Sequence, residues 1–293
     1  MKFIQFIFAL ILILCILTGC SVQKEQIVVG AKYFTEQEIL SSMLVLLIKE
    51  HTNLEPVTRT NMSSHVIFAA VTSGAVDVYV DYTGTIFGSY LNRSDDFSAQ
   101  EIFDETKKIF RDEFDLIILD RLGFNNTFCL AVRPETAEKY NIQTFSDLAL
   151  VSSNFAFGGS AEILYRADGL PNLKRLYNMT FLNELEFTNE ERYEAISADI
   201  VQVTEAFSTD GSLTEHNLIV LEDDKSFFPP YEGVVVIRGE IAEKHPGLID
   251  ILGKLSGTIS DSVMRNLNYR VDILEENPMD VAASFLRDNG FIG

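Results

Sequence analysis

The chain is short of cysteine and of positive charge, and both shortages narrow what it can be. Three cysteines occur in 293 residues, Cys15, Cys20 and Cys129. The first two belong to an N-terminal apolar segment, so Cys129 would stand alone in a mature chain. No disulfide is then available, even in an oxidising compartment, and the core must hold the fold. Basic residues number 23 against 43 acidic ones, a formal net charge of −20. An anionic surface of this kind repels nucleic acid and anionic headgroups, so membrane attachment would need a lipid. The histidines, His51, His65, His216 and His245, are scattered and form no His-Glu-x-x-His; each reads as a surface or structural residue. There is no P-loop, no dinucleotide-binding glycine pattern and no EF-hand spacing. Gly158-Gly159-Ser160-Ala161-Glu162 lacks the closing glycine of a nucleophile elbow. These absences argue against an enzyme, a metal and a cofactor, although a triad assembled only by folding stays open.

What is present begins with export. Met1-Lys2 is followed by an unbroken apolar run from Phe6 to Leu17, short for a membrane-spanning helix and suited to a signal peptide. Leu17-Thr18-Gly19-Cys20 then places small residues before a cysteine, the pattern of a bacterial lipobox. Cys20 would become the lipidated first residue; the alternative is a plain signal peptide with a chance cysteine. Without Lys2, 22 basic residues face 43 acidic ones, a net of −21.

The body of the chain alternates strand and helix. Gln26–Gly30 reads as a buried strand, and Thr35 with Glu38 as a capping box opening a helix whose apolar stripe runs Ile39, Leu40, Met43, Leu44, Leu47. Helix is expected over Glu101–Phe110, strands over Leu116–Leu119, Phe128–Val132 and Asn154–Phe157, a helix from about Ala161, and a strand over Val234–Ile237 before a helical C-terminal segment. This rhythm implies mostly parallel sheets covered by helices.

One internal echo carries more. Phe68–Tyr82 aligns without a gap on Tyr193–Phe207: helix end, tight turn, strand, then an aromatic. Small hydroxyl residues follow both, Thr83-Gly84-Thr85 and Ser208-Thr209-Asp210. A looser pair sets Phe128 and its strand against Tyr231 and the strand that follows it. Two such units imply two α/β lobes related by an approximate two-fold axis. Ligands bind outside the carboxyl ends of strands in open α/β sheets, so Tyr82, Phe128, Phe207 and Tyr231 could converge in a cleft. Each taken alone would read as core; their shared position favours a site. Rings arranged as a box attract a quaternary ammonium, each contributing about 0.5–2 kcal/mol. Lys32 at the first strand end, Arg166 on the helix after Gly158-Gly159, and Thr85 could hold a carboxylate, with arginine the natural bidentate partner. The combination suits a zwitterion. Cys129 should point away from Phe128 in an alternating strand, into packing. On this reading Tyr82→Ala abolishes binding and leaves the apo melting temperature nearly unchanged.

The sequence resembles the substrate-binding lipoproteins of bacterial ABC importers for glycine betaine, carnitine and choline, over essentially the whole mature chain. The resemblance rests on Gly30-Ala-Lys-Tyr-Phe-Thr-Glu-Gln37, Asp81-Tyr-Thr-Gly-Thr85, Asn125-Asn-Thr-Phe128, Phe157-Gly-Gly159, Glu205-Ala-Phe-Ser-Thr-Asp-Gly211, Phe227-Phe-Pro-Pro-Tyr231 and Asn266-Leu-Asn-Tyr-Arg-Val-Asp272. It implies a type II periplasmic-binding-protein fold, two α/β lobes with two hinge crossings and a ligand cleft. It puts Tyr82, Phe128, Phe207 and Tyr231 on the family's aromatic box, Lys32, Thr85 and Arg166 on its carboxylate positions, and Asn126 beside the box. Phe128 and Phe207 depart from the usual tyrosines, which keeps the ring faces and removes two hydroxyls. Lys32 favours a carboxylate-bearing ligand over choline.

The expectation is therefore a signal peptide over 1–19, a tether over 20–26, one lobe from 27–128 and 229–293, and the other from 129–228. The protein would be exported, monomeric, lipid-anchored through Cys20 to the outer face of the membrane, and would deliver a glycine-betaine-like solute to an ABC permease. A choline-selective binding protein, or an enzyme or sensor on the same bilobal fold, are the alternatives.

Overall fold

Among the described residues, ten strands form two five-stranded sheets with one topology. The computed structural model describes residues 24–93, 97–165, 169–188 and 191–293; the expected signal peptide, Cys20 and Arg166 lie outside them. In the first sheet β1 (Gln26–Lys32), β2 (Glu55–Met62), β3 (Val78–Tyr82), β4 (Leu116–Asn125) and β10 (Glu232–Arg238) take the order β2-β1-β3-β10-β4. In the second, β5 (Phe128–Val132), β6 (Ala156–Gly159), β7 (Asn183–Glu186), β8 (Val203–Phe207) and β9 (Ile219–Val220) take the order β7-β6-β8-β5-β9. The echoed strands β3 and β8 are the middle strands of their sheets, each preceded by its echoed helix, Ser64–Thr72 and Glu191–Ser197.

The sheets are mixed for a reason that also builds the site. β10 runs antiparallel to β3 and β4, and β5 runs antiparallel to β8 and β9, while the remaining pairs are parallel. Each antiparallel strand is the one that arrives from the other sheet. A chain crossing the cleft starts its new strand at the cleft and must run away from it, against strands that end there. Tyr82 and Phe207 therefore end strands, Phe128 starts one, and all three sit at the cleft edge.

Burial explains which elements the sequence revealed. β3 is buried at every position, so it is apolar except at Asp81, whose charge is met by Lys32. The Thr35–His51 helix buries Ile39, Leu40, Met43, Leu44, Leu47 and Ile48 at helical spacing against Val78, Val80 and Tyr82. On the other face of this sheet, Tyr79, Ile118 and Val234 pack with Phe103 and Phe110 of the Ala99–Phe114 helix. The second sheet buries Leu130, Val132, Phe157 and Val203 on one face and Cys129, Ala131 and Ala206 on the other. Burial pushes the Cys129 thiol up, which keeps it protonated and unreactive.

Two local expectations are corrected. Thr35 is the first helical residue and caps nothing; the N-cap is Phe34, without a side-chain bond, and the Thr35 hydroxyl donates to Asp272 at 2.5 Å. The helix expected at Glu101 starts at Ala99, because Ser98 and Glu101 form the capping box that Thr35 and Glu38 do not. β2 carries no apolar alternation because it is an edge strand with mostly exposed residues.

Candidate functional site

The strand edges meet across a cavity of about 630 Å³ that receives Lys32, Tyr82, Thr85, Asn126, Phe128, Phe207 and Tyr231. A groove of about 910 Å³ lies elsewhere, its lining including Lys24, His51, Lys244 and His245. No phenylalanine or tyrosine lines it, and Glu25 and Leu54 place it at the amino-terminal ends of β1 and β2, away from the carboxyl ends where ligands bind, so the chemistry favours the smaller cavity.

The rings do not form four independent walls. Phe128 and Phe207 are register partners across β5 and β8 and stack on each other, centroids 4.6 Å apart. Tyr82 belongs to the core as well as the cavity. It is 4% exposed, packs among Val78, Val80 and Phe124, and stacks on Phe34 at 6.3 Å. Tyr231 stands before β10, whereas the register partner of Tyr82 is Gly233. The looser of the two sequence pairs is thus offset by two residues: Phe128 corresponds in register to Gly233, and Tyr231 reaches the cavity from the crossing itself. Gly84 makes this possible, since a Cβ there would lie 2.5 Å from the Pro230 carbonyl and 2.9 Å from the Tyr231 ring.

The two crossings are stitched together. The Asn126 amide donates to the Tyr231 carbonyl at 3.0 Å, the Tyr231 amide to Asn125 Oδ1 at 2.6 Å, and the Thr127 hydroxyl to the Pro229 carbonyl at 3.0 Å. Ser208, just past Phe207, joins the same knot through the Thr127 amide and the Asn125 carbonyl.

Buried charge surrounds the rings. Lys32, 2% exposed, donates to Asp81 at 2.5 Å and lies 4.9 Å from the Tyr82 centroid. Asp81 also accepts from the Tyr82 amide and the Tyr90 hydroxyl. In the second lobe, buried Arg192 pairs with Glu205 at 3.0 Å and Asp210 at 3.2 Å. Glu205 further accepts from the Ser160 amide and hydroxyl.

Glu36, 3% exposed, is the residue that sequence reasoning missed. Its Oε1 accepts from the Tyr82 hydroxyl at 2.7 Å and from Asn126 Nδ2 at 3.0 Å, and its Oε2 from Asn268 Nδ2 at 3.1 Å. Burial raises its proton affinity, and these donors, with the Thr209 hydroxyl, oppose the rise. Gln37 Nε2 donates to the same Tyr82 hydroxyl at 3.1 Å, so two residues of one helix turn fix the ring. A signal existed: Glu36 lies three, four and seven positions before Ile39, Leu40 and Met43, a charge on an apolar stripe. Glu205 left a similar one, a carboxylate inside the otherwise buried strand VTEAF.

Comparisons place these features among known proteins. The family model described as the substrate-binding domain of an ABC-type glycine betaine transport system matches residues 25–288. The chain is 37% identical over 272 residues to the ergothioneine transport permease/ergothioneine binding protein of Helicobacter pylori (strain G27), covering 92% of this chain and 49% of that protein. The chain thus spans about half the length of this relative. It is 33% identical over 284 residues to the carnitine transport binding protein of Listeria monocytogenes, covering 94% of this chain and 92% of that one. A crystal structure described as a glycine betaine/carnitine/choline ABC transporter superposes with a TM-score of 0.87 at 33% identity, covering 90% of this chain and 99% of the other.

Proposed function

Because the chain belongs to the family of substrate-binding domains of ABC-type glycine betaine transport systems, we propose that it captures a carboxylate-bearing quaternary ammonium solute and hands it to a membrane permease. The observation that carries this reading is the meeting of Tyr82, Phe128, Phe207 and Tyr231 in one cavity at the facing edges of two sheets. A quaternary ammonium cannot donate a hydrogen bond, so ring faces are what can select it. Thr85 and Lys32 line the same cavity, and with Arg166 they are the proposed holders of the carboxylate. Asn126 fixes Glu36 beside the rings. Ergothioneine, carnitine and glycine betaine, for which the relatives are named, all combine a quaternary ammonium with a carboxylate, which supports the class. The solute would be bound outside the cytoplasm by a monomer tethered through a lipid on Cys20, and the protein would catalyse nothing.

Choline selectivity is the second reading, and one observation favours it. Asp81 matches the charge of Lys32, so a bare cation would meet less repulsion than an unpaired lysine would give. Calorimetry with glycine betaine, carnitine, ergothioneine and choline tests both. Binding of none at millimolar concentration would sink the transport reading, and a clear preference for choline would replace the carboxylate assignment. Thr85→Val is a cleaner probe of that assignment than Lys32→Ala, which would strand Asp81 as an unpaired buried charge.

A further inference from the structure

The balance of donors and acceptors on the cavity wall points to a narrower ligand. The charged residues on the described wall are two cations, Lys32 and Arg192, and four carboxylates, Glu36, Glu162, Asp210 and Asp272. Both cations are already matched, Lys32 by Asp81 and Arg192 by Glu205 and Asp210. Counting Arg166 as a third cation would still leave negative charge in excess. Glu36 is occupied by Tyr82, Asn126 and Asn268. Asp210 and Asp272 are different.

Asp210 Oδ2 accepts from Arg192, from the Tyr193 hydroxyl and from the Phe207 amide, while its Oδ1 has no hydrogen-bond partner among the described residues. Asp272 Oδ1 accepts from Thr35, and its Oδ2 likewise has no described partner. The two residues come from opposite lobes, Asp210 after β8 and Asp272 from the end of the Asp261–Asp272 helix. They are electrostatic neighbours: partial burial first, and the Asp210 charge in addition, raise the proton affinity of Asp272. The Phe128 and Phe207 rings add neither donor nor acceptor. The unused polar capacity of the described wall therefore includes one carboxylate oxygen on each of two residues that line the cavity from its two lobes.

We propose that the ligand is a betaine that carries hydrogen-bond donors in addition to its quaternary ammonium, of the imidazole-bearing class, and that its N–H groups meet Asp210 and Asp272. The proposal rests on the quaternary ammonium reading of this cavity and narrows it. Glycine betaine has no N–H or O–H. Closing the lobes on it would bury these acceptors without partners, which is costly. A site built to pair with a polar group rejects an analogue that lacks the group far better than an apolar pocket rejects a wrong size. A cavity of about 630 Å³ has room for an imidazole-bearing betaine, being within the usual range for small-molecule sites.

The test is calorimetry of the purified full chain with glycine betaine, choline, histidine betaine and ergothioneine. Histidine betaine or ergothioneine is expected to bind about tenfold or more tightly than glycine betaine. Asp272→Asn keeps the size of the side chain and the oxygen that accepts from Thr35. It is expected to bring that ratio close to one. Glycine betaine binding as tightly as either imidazole compound would overturn the proposal while leaving the quaternary ammonium reading intact. No binding by any of the four would overturn that reading itself. If both Asp272→Asn and Asp210→Asn, melting as the wild type does, kept the full preference, the assignment to these carboxylates would be wrong.

Discussion

Tyr82 shows that core and site are not exclusive descriptions of a residue. Its ring closes the apolar face of β3 while lining the cavity, and its hydroxyl is held by Glu36 and Gln37. The expectation that Tyr82→Ala leaves the apo protein unaffected is therefore withdrawn. Removing a buried aromatic costs about 3 kcal/mol or more, so Tyr82→Ala should lower the midpoint of chemical denaturation and also weaken ligand binding about tenfold. Tyr82→Phe separates the two roles. It keeps the ring and removes one donor from buried Glu36, which costs about 1–3 kcal/mol. Its affinity should stay within a few-fold of wild type. A large loss of affinity in Tyr82→Phe would mean that the hydroxyl, and not the ring face, meets the ligand.

At the scale of elements, the turn after β3 is what admits the second crossing. Thr83-Gly84-Thr85 runs into a π-helical turn over Thr85–Tyr90, and the Thr83 hydroxyl accepts from the Glu232 amide at 3.1 Å. Gly84 is required by close approach and not by its backbone angles, which are right-handed helical. Gly84→Ala would drive a methyl into Pro230 and Tyr231. Overpacking of this kind costs about 1–3 kcal/mol, and the displaced Tyr231 ring should lower ligand affinity in calorimetry. Unchanged stability together with unchanged affinity would show that the crossing is looser than these contacts imply. The π-helical turn left no sign in the sequence, because a one-turn irregularity has no hydrophobic period of its own.

At the scale of the molecule, the two sheets contribute matching edges, and groups on the Asp261–Asp272 helix join the lobes across the cleft. Arg265 is one, donating from Nε at 3.0 Å and from Nη2 at 2.9 Å to the Ser208 carbonyl. Asn268 Nδ2 is another, bridging Glu36 and the Thr209 carbonyl. Ligand bound between the lobes should favour the closed arrangement by its differential affinity for it. Saturating ligand at about 100 times Kd should add about 2.7 kcal/mol of stability, with a smaller radius of gyration in solution scattering. Arg265→Ala should enlarge the apo radius and weaken binding several-fold without touching the rings. A radius that responds neither to ligand nor to this substitution would argue against closure as the binding step.

The sequence by itself determined the alternation of strands and helices, the repeat of β3 in β8 and the rings at their ends. These are local patterns: a buried strand must be apolar, and an aromatic in register with its counterpart is visible in one dimension. Its reading of Thr35 and Glu38 failed because two positions in a chain cannot say where the backbone first turns helical. Only the tertiary structure decided that Phe128 stacks on Phe207, that Tyr231 enters from a crossing, and that Lys32 is already matched by Asp81. It also brought Glu36, Asn126 and Asn268 together from distant parts of the chain. Such contacts depend on how two sheets face each other, and no spacing along the chain encodes the distance between groups that meet only after the chain has crossed the cleft twice.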